Sequence, residues 1–369
     1  MRKFKIINKK EGQIMKKLLL ALLSVVVVAG LILTGCSSNT STSTTSAQPA
    51  TSSSTPAKTY SIRWAHFAAA QLESSVPLTQ MCENVKTRTN GRCKIEIFWS
   101  DSLVPMFELL DAVRTGSTEM ATFPVGAFSN TEITFASAEI PFLYDSIEAQ
   151  LEGQGALVAP YNKVIEQKYS QKALSVTSII PLNIGCSKRP IKTLADWKGL
   201  MVQSISPITS ELTTTFGATG APASPIDVYE LLEKGTVDAT IQSLGKFVEA
   251  KLWEVCPYVT NAMMVPASAM TTININTWNS LPTDIQDIIL DEATKMKASV
   301  DEITIQTFYS YLDTLSQNME VYNLPKAERE NWKAAVQSMI DSYMTKMGDF
   351  SNDLKSTAEA ANKKNPYPY

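Results

Sequence analysis

Histidine is almost absent: the 369-residue sequence contains one, His66. A single imidazole cannot build a two-histidine metal site, and no G-x-S-x-G elbow accompanies it to suggest nucleophilic catalysis. Glycine numbers only 15. Its one suggestive cluster, Gly217-Ala218-Thr219-Gly220, lacks the helix and lysine that a phosphate loop needs, and reads as a turn leading toward Pro225. The five cysteines fit no zinc spacing. Charged residues make up only 19% of the chain, and their balance is acidic, which speaks against a nucleic-acid partner. Triad or zinc catalysis, nucleotide binding and nucleic-acid recognition are therefore disfavoured, and no cofactor or metal is expected.

What is present begins with a leader. Lys16-Lys17 supplies a positive patch, Leu18 to Leu33 an apolar core, and Leu33-Thr34-Gly35-Cys36 a lipobox-like cleavage site. The competing reading is a transmembrane helix, because the apolar stretch sits near the lower edge of the ~17–25 residues that span a bilayer. The small pair before Cys36 and the Ser/Thr-rich sequence after it favour cleavage, with residues 1–36 as signal and Cys36 as the lipidated residue. Seven of the 33 Lys/Arg and one of the 36 Asp/Glu lie in residues 1–35, so removal leaves 26 against 35, a balance of −9. Residues 37–58 are almost entirely Ser, Thr, Ala, Pro, Asn and Gln. Such a composition buries too little apolar surface to offset the entropy of ordering, and predicts a flexible tether.

The remainder alternates. Tyr60 to Ala65 has strand periodicity ending at His66-Phe67, Leu72 to Val85 has helical spacing, Lys94 to Trp99 is a strand, Phe107 to Val113 a helix stopped near Gly116, and Met120 to Val125 a third strand. This predicts helices over a mostly parallel α/β sheet. The helix-glycine-strand unit recurs from Glu230 through Gly235 to Thr240. From Thr283 to about Gln317 no Pro or Gly interrupts the pattern, which predicts one long helix, with two abutting helices as the alternative. A strand at Val321-Tyr322, a helix from Pro325 to about Met347 and a polar tail to Tyr369 follow. Among the cysteines, Cys82 and Cys93 flank the Asn90-Gly91 turn, Cys186 and Cys256 fall in the second half, and either bridges or buried free thiols are compatible with the spacing.

Three blocks carry more information. Arg189-Pro190-Ile191-Lys192-Thr193-Leu194-Ala195-Asp196-Trp197-Lys198-Gly199-Leu200 reads as a short helical turn closed at Gly199, followed by a buried strand that carries Gln203 to its end. Pro225 to Asp238 and Trp278 to Gln286 are the second and third. Together they resemble, in order and spacing over roughly residues 60–350, the solute receptors of tripartite ATP-independent periplasmic (TRAP) transporters. That resemblance implies a two-lobed periplasmic binding protein-like α/β fold with a central ligand cleft and a long helix spanning both lobes. It places residues 59–180 with 268–308 in lobe I and 181–267 with 309–360 in lobe II. It also implies a small organic solute as ligand, TRAP membrane permease subunits as partners, no enzymatic activity, and an extracytoplasmic, lipid-anchored location.

The sequence departs from the family where solutes bind. Gln203 stands where an arginine usually clamps a carboxylate, Asn183 where sialic-acid receptors carry a second arginine, Met263-Met264 where they carry Asn-His, and Ala239-Thr240-Ile241 where Gly-Gln-Glu is usual. His66 matches a ligand-binding position of those receptors and lies at the carboxyl end of the first strand, where open α/β sheets place ligands. A satisfied core histidine is the plainer reading. The expected ligand-binding set is His66, Phe67, Phe107, Phe123, Asn183, Gln203, Tyr229, Met263 and Met264, with Trp64 nearby. A glutamine lacks the charged fork that grips a carboxylate, so a neutral, amide-bearing or aromatic solute is expected unless Arg63 or Lys188 takes over the charge. An extracytoplasmic sensor for a signalling partner and an ABC-type binding lipoprotein are the alternative functions, with a hydrolase last.

Overall fold

The computed structural model describes residues 58–369, so the expected leader, Cys36 and nearly all of the tether lie outside the described residues. Strands β1 (Tyr60–His66), β2 (Cys93–Phe98), β3 (Met120–Pro124), β4 (Gln171–Cys186), β5 (Met201–Ser204), β6 (Thr219–Pro222), β7 (Ala239–Ser243), β8 (Tyr258–Asn274) and β9 (Glu320–Asn323) form one nine-stranded sheet. Its order is β2-β1-β3-β8-β4-β7-β5-β6, with β9 beside β8. The two flanks are parallel, as the βαβ alternation predicts. The centre is not: β3·β8, β8·β4 and β4·β7 are antiparallel, because β4 and β8 each cross from one flank to the other.

β4 and β8 are 16 and 17 residues long and buried along nearly their whole length, so the same two strands serve both halves of the molecule. Each has a proline in mid-strand, Pro181 and Pro266. Proline has no N–H for the ladder, and the register breaks there: Ile179 pairs Ala267, then Leu182 pairs Val265. β4 next advances from Leu182 to Ile184 while β8 runs from Val265 back to Thr260, so Ala262–Met264 bulge out with Met263 at φ 48°. Buried backbone groups need partners, and side chains supply them. Asn183 Oδ1 accepts from the N–H groups of Ala262 (2.9 Å) and Met263 (3.1 Å), Arg329 Nε donates to Ala262 O (3.1 Å), and Phe142 N donates to Met264 O (2.8 Å). Gln150 Nε2 donates to Ile179 O and Ala267 O at 2.7 and 3.0 Å.

The helix-glycine-strand unit occurs twice as anticipated: Leu109–Thr115 stops at Gly116 (φ 77°) before β3, and Val228–Glu233 is followed by Gly235 (φ 66°) before β7. Thr283–Ser316 is a single 34-residue helix, about 50 Å long at 1.5 Å per residue. Its first half buries Ile285, Ile289, Ala293, Met296 and Val300 with Trp64, Met81 and Trp278. Its second half buries Phe308 and Leu315 with Phe247, Leu252 and Val259. The block from Trp278 to Gln286 is its foundation, since Gln286 Nε2 donates back to Trp278 O at 2.8 Å. Beyond Pro325 the chain differs from expectation. The predicted helix is two, Lys326–Ala335 and Gln337–Met347, and the predicted polar tail contains a third, Phe350–Lys364, whose buried Phe350, Leu354, Ala358 and Ala361 form a narrow apolar stripe.

Arg329, fully buried, fastens these last helices to the sheet. Its guanidinium reaches Asp145 Oδ1 (2.9 Å) and Tyr144 O (2.6 Å) and stacks 4.6 Å from the Tyr367 ring. Cys82, Cys93, Cys186 and Cys256 are all buried free thiols, so none of the possible bridges is present among the described residues.

Asn183→Ala removes the acceptor of two buried N–H groups, and the expected loss of stability is about 2–4 kcal/mol. Urea unfolding followed by circular dichroism measures it; a loss below about 0.5 kcal/mol, the scatter of ordinary surface substitutions, would show that Asn183 does not hold the bulge.

Candidate functional site

The block that ends in β5 is built by hydrogen bonding. The Asp196 carboxylate accepts from the N–H groups of Lys192 (3.0 Å) and Thr193 (2.8 Å) and from the Thr193 hydroxyl (3.0 Å), which caps the 3-10 turn Leu194–Trp197. Gly199 (φ 76°) then turns the chain into β5. Arg189 donates to the carbonyls of Asp196 and Lys198, while Asp238 takes Met201 N–H (2.9 Å) on one oxygen and Lys188 (2.5 Å) on the other. The Lys188 and Arg63 cations are both engaged, Lys188 with Asp238 and Arg63 with Glu119 at 2.8 Å.

This scaffold delivers Gln203 to the end of β5, where it is fully buried. Its Oε1 accepts from Thr240 Oγ1 (2.6 Å) and Gln242 Nε2 (3.2 Å), and its Nε2 donates to Ser224 O (2.7 Å) and Ala223 O (3.4 Å). The amide thus ties β5 to β7 and to the loop beyond β6, and no bonding capacity is left over.

A cavity of about 740 Å³ lies against the long helix, between the two flanks of the sheet. One wall comes from the carboxyl end of β1 and the turn after it, with Thr122 of β3. The floor is Thr177–Ile180 of β4 with Ala269 and Thr271 of β8. The opposite wall is Ser243, Gly245 and Glu249, and the long helix closes the back. Gly245 permits that closure, since a Cβ there would come within 3.0 Å of the Tyr311 ring. A volume in the range ~300–1,000 Å³ is typical of small-molecule sites.

His66 lines this cavity at 6% exposure, packed against Phe67 and Trp99 with ring centroids 5.3 and 4.8 Å away. Its Nδ1 accepts the Ala68 N–H at 3.0 Å. The neutral ring's proton therefore sits on Nε2, a donor with no partner among the described residues. Burial pushes the imidazole down to about 4, and the bond that Nδ1 accepts from Ala68 N–H is one only the neutral ring can make, so His66 is uncharged at neutral pH.

Of the other expected residues, Phe67 lines the cavity and the rest do not. Phe107 is 71% exposed on the turn before the Leu109 helix. Phe123 and Trp64 are core residues: Phe123 packs 5.0 Å from Phe128, and Trp64 Nε1 donates to Thr122 Oγ1. Tyr229 donates to Glu254 Oε2 at 2.9 Å, away from the cavity. Asn183, Met263 and Met264 belong to the β8 bulge, where backbone satisfaction occupies the amide and burial holds both methionines. Sequence reasoning missed the face of the long helix bearing Val300, Thr304, Thr307 and Tyr311. Its signal was legible as Thr304 and Thr307, small polar residues three apart where an apolar stripe was due.

Residues 65–347 match the family model described as bacterial extracellular solute-binding protein, family 7 (DctP). The chain belongs to this family. It is 25% identical over 244 residues to a solute-binding protein of Roseobacter denitrificans, covering 66% of this chain and 74% of that one. It is 24% identical over 225 residues to the 2,3-diketo-L-gulonate-binding periplasmic protein of Escherichia coli, covering 57% and 64%. Among solved structures it resembles a TRAP periplasmic solute-binding protein from Ochrobactrum anthropi whose C-terminus occupies its ligand pocket (TM-score 0.78, 22% identity, 84% of this chain and 97% of that one). One from Desulfovibrio salexigens with bound orotic acid is also similar (TM-score 0.71, 23% identity, 83% and 99%). The family is one of substrate-binding receptors, and the two-lobed fold of TRAP receptors is the fold of this chain.

His66 gives this receptor a measurable acid sensitivity. The unfolded chain takes up the imidazole proton near pH 6.5 and the folded one near 4. Its share of stability is therefore intact above pH 6.5 and is lost as pH falls toward 4, by roughly 3 kcal/mol in all. His66→Asn keeps an acceptor for Ala68 N–H and removes the titration. Urea unfolding at pH 7.5 and pH 4.5 should show a smaller acid loss for the variant; equal losses would mean that His66 is not held neutral.

Proposed function

We propose that this receptor captures a small organic solute in the cavity beside His66, closes its two lobes around it and presents the closed form to TRAP permease subunits. The observation that carries the reading is the cavity itself, whose walls come from both flanks of the sheet and whose floor is β4 and β8 next to their paired prolines. The lobes are 59–180 with 268–308 and 181–267 with 309–360, and the register break at Pro181 and Pro266 serves as their hinge. Cys36, outside the described residues, carries the lipid anchor, and residues 37–58 serve as the spacer.

The E. coli relative is named for a sugar acid and the Desulfovibrio protein holds orotic acid. In this receptor the usual arginine position is Gln203, whose amide is consumed within lobe II, and Arg63 and Lys188 are paired elsewhere. No described residue lining the cavity is Lys or Arg. A carboxylate placed there would lose its hydration and gain no charge-assisted bond. The solute therefore lacks a dominant carboxylate, and His66 Nε2 donates to one of its oxygen acceptors. The reading is of a receptor and not of an enzyme: the one imidazole accepts from Ala68 N–H on Nδ1 and offers its Nε2–H to the solute.

Three measurements check the reading. A thermal-shift screen of acids, amides, aromatics, polyols and amines should find a stabilising compound, worth ~2.7 kcal/mol at 100 times its dissociation constant, and small-angle scattering should show a smaller radius of gyration with it bound. A stabilising compound that leaves the radius unchanged would remove the closing mechanism. In cells, Cys36→Ala should release the receptor from the membrane fraction; retention with an uncleaved leader would replace the lipid anchor by a spanning segment.

A further inference from the structure

Resting on the receptor reading, we propose that the solute is an organic cation, an ammonium or guanidinium compound that also carries an uncharged oxygen acceptor. Apart from His66 and Tyr311, the only titratable side chains among the described residues lining the cavity are Glu73 and Glu249. They come from opposite walls. Glu73 belongs to the turn between β1 and the first helix, and Glu249 ends the short helix Leu244–Glu249 beyond β7. Tyr311 of the long helix stands within the field of both: burial raises its phenol, and the Glu249 and Glu73 carboxylates raise it further. Neither glutamate has a hydrogen bond or ion pair to a basic side chain among the described residues, whereas Asp238 and Glu119 do.

A second feature defines the other end of the ligand. His66 is nine-tenths buried, lines the same cavity, and is fixed by Ala68 N–H in the tautomer that offers an unpartnered Nε2–H. This donor demands an acceptor oxygen, and the neutral imidazole adds no positive charge to attract an anion. The lining therefore presents one fixed neutral donor and, exposed at its rim, two carboxylates, with hydroxyl, amide, aromatic and apolar groups between. Two like charges on opposing lobes repel when the lobes approach. A cation set between them converts that repulsion into attraction, so solute charge and lobe closure are coupled. An anion of the same size would add a third like charge.

The test uses the full chain without its leader and two matched probe series: putrescine, its diol and its diacid succinate; and tyramine, tyrosol and hydroxyphenylacetate. Each set holds size and shape nearly constant while charge runs from positive through zero to negative. Calorimetric titration should rank amine above alcohol above acid in at least one series. Glu73→Gln with Glu249→Gln should weaken the amine by at least about tenfold and leave the alcohol within about twofold. Apo scattering of that double variant should show a more closed average than the wild type. His66→Asn supplies the contrast in the tyramine series, whose members carry a phenol oxygen that can accept from Nε2–H, weakening amine and alcohol alike; putrescine, which has no oxygen, should be unaffected by it. An acid that binds as well as its amine, or a double variant that retains full amine affinity, overturns the charge assignment and leaves the receptor standing. So does silence from all six probes while an uncharged or anionic compound of the general screen binds. Failure of every compound in that screen sinks the receptor reading, and the charge assignment with it.

Discussion

Two strands with a proline in the middle of each govern this structure. β4 and β8 pair with one another on both sides of Pro181 and Pro266, so neither half of the sheet exists without them. The break in the ladder deprives backbone groups of their strand partners, and each such group left buried and unpaired costs about 1–3 kcal/mol. The chain answers with long polar side chains from elsewhere: Asn183 and Arg329 at the bulge, Gln150 at the prolines. Helix Ile147–Gly155, the Arg329 helix and the 142–145 segment are placed where they are because the interrupted strands require their donors and acceptors.

That requirement also decides which polar residues remain free for a ligand. Asn183 and Gln203 are amides fully engaged by protein, one across β8 and the other between β5 and β7. What faces the cavity is a lone imidazole, a stripe of hydroxyls on the long helix and a pair of carboxylates at its edges. Specificity in this receptor thus rests on groups added around a frame of capped turns, and the frame itself, through Asp196, Gly199 and Asp238, is occupied with keeping β5 in register.

Much of the frame was legible in the sequence. The twin helix-glycine-strand units, the uninterrupted run from Thr283 and the turn closed by Gly199 are local patterns with local causes, and each appears with boundaries shifted by a few residues. The direction of the central strands was not legible, because β4 and β8 are buried on both faces and alternate in no useful way. The helix Phe350–Lys364 was hidden by composition: its apolar stripe leans on alanines, and its Asn, Ser and Lys residues read as tail. Site residues were the least legible. Strand periodicity says which way Gln203 and Phe123 point, yet not whether solvent, solute or protein stands opposite, and in both cases it is protein.

The last helix closes the molecule by reaching far back along the chain. Asn362 accepts from Asp145 N–H and donates to Leu143 O, both at 2.9 Å, and Tyr367 covers the guanidinium that braces the β8 bulge and donates to Leu324 O at 2.7 Å. A chain delivered across a membrane from its amino end can form β1 to β3 early, since their partners are near in sequence. It cannot seat Arg329 among its neighbours until Tyr367 has emerged. Contacts between positions more than two hundred residues apart are slow to form, and the interval before they form is one in which the crossover strands stand uncovered. Covering of the crossover strands is therefore coupled to the arrival of the Phe350–Lys364 helix and Tyr367, which tie residues far apart in the chain into one closure.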